Sequence, residues 1–122
     1  GAPDTTPVLD DAVFTQLADT MGEEMAPLVE DFLTSTTELL AVLAQREAAT
    51  DLKLLTRQAH TLKSTAAMIG ATTLSSHARA LEADLKRGET ASMASALTLI
   101  ETEFGRVRDA LARRDTGVPA LG

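Results

Sequence analysis

Between Leu52 and Ile69 the apolar residues Leu52, Leu55, Ala59, Leu62, Ala66 and Ile69 recur at steps of 3, 4, 3, 4 and 3. That period describes one face of an α-helix and cannot describe a strand, whose faces alternate every second residue. Four more segments carry stripes of the same kind: Val13, Phe14, Leu17 and Met21; Leu28, Phe32, Leu39, Leu40 and Leu43; Leu74, Ala78, Leu81 and Leu85; and Met93, Leu97, Ile100, Phe104, Val107 and Leu111. No stretch alternates with period two, and no Asn-Gly or Asp-Gly hairpin turn occurs. The chain is therefore expected to be all-α.

Start and stop signals divide it into five helices. Asp10 or Asp11 caps the first, which ends near Gly22. The second begins near Met25, tolerates Pro27 in its first turn beside Glu23 and Glu24, and fades near Ala49. Asp51 caps the third, which runs to Met68 or Ile69 and stops at Gly70. Thr72 or Thr73 opens the fourth, which ends on Lys86-Arg87-Gly88, and Thr90 opens the fifth. Residues 1–9, with two Pro and two Thr, read as a flexible tail or linker, 10–114 as the bundle and 115–122 as a C-terminal tail. Short connections make neighbouring helices antiparallel. The expected architecture is an antiparallel up-down four-helix bundle with a short N-terminal helix capping one end.

At 122 residues there is material for one core. Three Phe are the only aromatic residues, so that core must be aliphatic. The absence of cysteine excludes disulfides and thiolate metal sites. No apolar run reaches the length of a membrane span and no leader opens the chain, so no membrane contact is expected. The net charge of −7 is unevenly spread. Residues 1–50 hold ten acidic groups and one base, whereas 51–88 hold six bases and three acids. An acidic chain poor in aromatics argues against nucleic acid. A small basic region within it suits an acidic protein surface or a phosphoryl group.

That basic region surrounds His60. With Leu52 as zero, the apolar seam of the third helix centres near ~310° and His60 falls near ~80°, roughly 130° away. His60 should face solvent, with Lys53, Arg57, Ser64 and Ala67 on the same outward side. One turn away on either side lie Thr56, Arg57, Lys63 and Ser64. Ser64 and Ala67 predict a convex, low-relief surface that a partner can approach closely. A largely neutral imidazole leaves one nitrogen free to attack an electrophile, and Lys63 is within reach of an anion bound to the ring. A histidine beside a lysine on a solvated helix is also common without any function. His77 lacks such cations, since its helical neighbours are Thr73, Leu74, Ala80 and Leu81, and is expected to be a structural or surface residue.

A carboxylate-bridged metal bundle needs Glu-x-x-His pairs, but Arg57 and Leu74 stand three residues before the two histidines. A hydrolase needs a nucleophile, base and acid converging in a pocket, which a convex face does not provide.

The stretch AHTLKSTAAMIGA resembles the signature of the histidine-containing phosphotransfer (HPt) family, with matches at His60, Leu62, Lys63, Gly70 and Ala71, and later at Leu81-Glu82 and Lys86-Arg87-Gly88. The likeness extends over roughly residues 10 to 112. Ser64 and Thr65 depart from it, standing where the family usually has Gly and Ser. The resemblance implies a phosphorelay intermediate without kinase activity of its own. His60 would accept a phosphoryl group from a receiver-domain aspartate and pass it to another receiver, with Lys63 stabilising the phosphoryl group. Glu82 would orient the histidine, or else be an exposed partner of Arg79 or Lys86. Thr56, Arg57, Ser64, Ala67 and Gly70 would form the binding surface. The implied partners are response-regulator receiver domains and a hybrid sensor histidine kinase; Mg²⁺ is expected in the receiver and no cofactor in this chain. The protein is expected to be monomeric and cytoplasmic, either free or as the terminal domain of a membrane-bound sensor kinase. The competing expectation is a helical docking module that transfers nothing.

Overall fold

The computed structural model describes residues 8–45 and 51–114. Five helices follow one another: α1 (Asp11–Met21), α2 (Met25–Ala44), α3 (Leu52–Met68), α4 (Thr72–Lys86) and α5 (Met93–Ala112), with a 3₁₀ turn at Gly22–Glu24 before α2. No strand occurs among the described residues. Helices α2 to α5 form the antiparallel up-down bundle, in which α3 meets α2 and α4, and α5 meets α4 and α2. Helix α1 lies against α2 and α3.

The caps follow the sequence closely. Asp10 Oδ1 accepts hydrogen bonds from the backbone N–H groups of Ala12 and Val13, at 3.0 and 3.2 Å. Asp51 Oδ1 accepts one from Leu54 at 3.0 Å. Each satisfies donors that the first helical turn leaves unpaired. Helix α2 ends at Ala44, earlier than its alanine-rich continuation suggests, and Ala49 lies outside the described residues. Helix α5 begins at Met93, not Thr90, whose carbonyl instead accepts from the Met93 N–H at 3.1 Å. Of the expected tail at 1–9, residues 1–7 lie outside the described residues, as does the whole of 115–122, but Leu9 is buried in the core.

Along α3 the expected seam is the buried one: Leu55, Ala59, Leu62, Ala66 and Ile69 are fully buried, and Leu52 is half-buried at its end. Small side chains at Ala59, Ala66 and Ala78 let α3 and α4 approach more extensively than any other helix pair. Phe32 of α2 meets Phe104 of α5 edge to face, with ring centroids 6.1 Å apart. In α2 the buried face includes Met25, Val29 and Thr36, none of which stands out in the sequence, whereas Leu28 is half-buried.

Gly70 joins the bundle to α1. It has φ +88°, in the left-handed region that favours glycine, and a Cβ there would lie 2.9 Å from the Asp10 carbonyl oxygen. The Asp10 N–H donates to the Gly70 carbonyl at 2.7 Å. The cap of α1 therefore sits directly on the α3–α4 turn.

Candidate functional site

His60 projects from the middle of α3 with 57% of its side chain exposed, as its angle from the seam requires. On α4, Glu82 lies one turn beyond buried Ala78 and beside the Leu81–Leu85 seam, so its carboxylate enters the α3–α4 interface. It is 4% exposed. His60 Nδ1 is 2.8 Å from Glu82 Oε2. Lys63 Nζ lies 2.7 Å from Glu82 Oε1, and Lys86 Nζ 3.3 Å from Oε2. Three nitrogens thus converge on one buried carboxylate.

The local fold explains this convergence. Ser75 Oγ, in the first turn of α4, donates to the Lys63 carbonyl at 2.8 Å and fixes the register of the two helices. Helical side chains lean toward their own N-terminus, so Lys63 reaches back along α3. Because α4 runs antiparallel, that direction leads from Ser75 toward Glu82, two turns further along α4. Burying a lone carboxylate is strongly unfavourable, and nearby cations offset that cost. The Lys63 ammonium is the largest influence on Glu82; burial opposes it, and His60 and Lys86 reinforce it, so that the carboxyl pKa falls to about 2. A deprotonated Glu82 can only accept, which assigns the proton to His60 Nδ1 and leaves the Nε2 lone pair available.

Beside His60 the face is not uniformly convex. On one side the small side chains of Ser64 and Ala67 are both exposed. Toward α4 it opens into a groove of about 840 Å³, lined by Leu52, Lys53, Thr56, Arg57, Leu85, Lys86 and Arg87 as well as His60 and Glu82. Thr56 and Arg57 are therefore beside the histidine, as expected. Gly70 is not, being buried beneath Asp10 at the end of α3. Glu82 is a buried partner of Lys86 as well as of His60, and no ion pair links it to Arg79 among the described residues. Lys53, expected on the outward side, and Lys86, expected as an alternative partner of Glu82, both line the groove, while nothing in the sequence pointed to Leu85 or Ser75 here. A readable signal existed for Lys86, four residues after Glu82. His77 is half-buried on α4. Among the described residues no group of three His, Cys, Asp or Glu could hold a metal ion, and no helix is long and apolar enough to cross a membrane.

The site thus consists of an exposed imidazole held on a helical bundle by a buried carboxylate. The chain belongs to the Hpt domain family, which matches residues 27–113. Its structure is similar to that of histidine-containing phosphotransfer protein B (HptB) from Pseudomonas aeruginosa PAO1, with a TM-score of 0.80 and 31% identity, over 85% of this chain and 90% of that one. No curated protein sequence matches it. Its role is histidine phosphotransfer in a phosphorelay; Hpt domains are carriers and not kinases, and they interact with response-regulator receiver domains.

Proposed function

We propose that His60 accepts a phosphoryl group from the aspartyl phosphate of one receiver domain and delivers it to the aspartate of another. The observation that carries this reading is the 2.8 Å contact between Nδ1 of an exposed His60 and the buried Glu82 carboxylate. Nε2 attacks phosphorus, the N–P bond forms as the aspartyl O–P bond breaks, and the receiver's carboxylate departs with the electron pair. The proton stays on Nδ1, so the phosphorylated ring carries a positive charge that faces Glu82. Delivery to the second receiver reverses these steps and returns the neutral ring.

Such transfers have loose transition states, so positioning and charge stabilisation dominate catalysis. Lys63, one turn after His60, turns from Glu82 toward the phosphoryl oxygens when they arrive. The receiver supplies Mg²⁺. The domain works as a monomer in the cytoplasm, which keeps the His60 face open to successive partners, a hybrid sensor kinase among them.

Radiolabelled phospho-receivers offered to the wild type and to His60→Gln test this. Label should appear on the wild type alone, as acid-labile, alkali-stable phosphohistidine. Labelling of both proteins would move the acceptor elsewhere, with His77 the first suspect. Labelling of neither by any receiver would make the domain a docking module.

A further inference from the structure

We propose that Lys53 and Arg57 form a selectivity site that receives carboxylates on the rim of the receiver domain and fixes how that partner lies across α3 and α4. The inference rests on the phosphotransfer reading above and adds to it which receivers are preferred.

Four cations line the groove beside His60, but they are not equivalent. Lys86 is held by Glu82 at 3.3 Å, and Arg87 by Asp84 and Glu89. Arg87 is thus paired within the chain, and Lys86 is drawn to a carboxylate that it shares with Lys63. Lys53 and Arg57 are exposed and make no ion pair with another described residue. They stand one turn apart on α3, with Arg57 three residues before His60. Together they extend a line of positive charge about 10 Å from the histidine toward the N-terminus of α3. The floor between them and α4 is apolar, formed by Leu52 and Leu85. A partner seated on that floor removes water from both cations, which is unfavourable unless the partner brings carboxylates to meet them.

The opposite flank of His60 has a different character. A depression of about 180 Å³ between α2 and α3 is lined by Leu28, Asp31, Phe32, Thr61 and Met68 among others, with no cation in its lining. The first fifty residues, which include α1 and α2, carry ten acids and one base. An acidic rim is repelled from that flank and drawn to the α3–α4 groove. One charge distribution thus supplies both attraction and orientation.

The test compares four proteins as phosphoryl acceptors from purified phospho-receivers with acidic rims: the wild type, Lys53→Glu/Arg57→Glu, the distal Arg108→Glu/Arg113→Glu, and His60→Gln. The two charge-reversed variants carry the same change in net charge. At low ionic strength the groove variant should lose about tenfold in kcat/KM. The loss should lie in KM, leave the single-turnover rate at saturating receiver within about twofold, and shrink as salt is raised. The distal variant should stay close to wild type, and a receiver whose rim acids are changed to lysine should prefer the groove variant. An equal loss in both charge-reversed proteins, or an unchanged KM in the groove variant, would overturn the selectivity site while leaving His60-dependent transfer intact. Failure of every receiver to label the wild type would overturn the phosphotransfer reading and this inference together.

Discussion

A carboxylate that is 4% exposed and contacted by His60, Lys63 and Lys86 determines the chemistry available at the histidine. Its pKa of about 2, against an ordinary 4.5, means that the folded protein holds Glu82 ionised where the unfolded chain does not. The stability gained is fully present above the unfolded value and is lost as pH falls through the folded one, so the window lies between about 4.5 and 2. The shift corresponds to an upper limit of roughly 3 kcal/mol. Urea denaturation at the two ends of this window should therefore show a flatter pH dependence for Glu82→Gln than for wild type; parallel curves would remove Glu82 as the cause. The same variant should weaken the preference for the Nδ1–H tautomer in ring-nitrogen NMR, because an amide can either donate to or accept from the imidazole. The outward direction of His60 was legible in the sequence, being a local consequence of helical period. Glu82 remained ambiguous there, because its position beside the seam fits both a solvated partner of Lys86 and a buried partner of His60.

At the scale of elements, the turn between α3 and α4 holds α1 in place. Gly70 combines a positive φ with backbone contact to Asp10, so Gly70→Ala meets both strain and a clash. It should destabilise the fold by about 1–3 kcal/mol and speed amide exchange across α1 more than across α4. An unchanged denaturation midpoint would mean that the turn absorbs the side chain without displacing α1. The stop at Gly70 was readable from glycine chemistry, whereas the helix resting on it was not. The end of α2 teaches the converse lesson. Alanine, glutamine and glutamate after Leu43 have good helix propensity, but no large apolar residue follows until Leu52. Helices in proteins persist mainly where a face is buried, and α2 ends at Ala44, one residue after its last buried side chain.

Across the whole molecule the helices share one core. It runs from Leu9 and Phe14 through Val29, Leu43, Leu55 and Leu62 to Ile100, Val107 and Leu111. Arg114, two residues past the end of α5, pairs with Asp11 and lies over the Phe14 ring at 5.0 Å, which ties the last described residues to α1. Leu62 is fully buried two residues from His60. Leu62→Ala should cost roughly 2–5 kcal/mol and lower the thermal midpoint of the entire protein in a single transition. Separate transitions monitored from α1 and from α5 would contradict a shared core.

Although the choice between Asp10 and Asp11 at α1 and part of the buried α2 face stayed open, local spacing settled the buried seams of α3, α4 and α5, the cap at Asp51, the stops at Gly70 and Gly88, and the outward direction of His60. Each of these depends on spacing within a few residues along one chain segment, and helical geometry converts such spacing directly into direction. The packing of α3 on α4 settled that Glu82 meets His60 Nδ1, that Lys63 joins Lys86 at the same carboxylate, and that a cationic groove opens on the α4 side. The contacts of Glu82 with His60 and Lys63 join residues about twenty positions apart and depend on the rotation and register of α3 against α4, whereas Lys86 reaches Glu82 from one turn along α4 itself. That register comes from small residues in the interface and from the bond between Ser75 and the Lys63 carbonyl, and no single helical repeat encodes it.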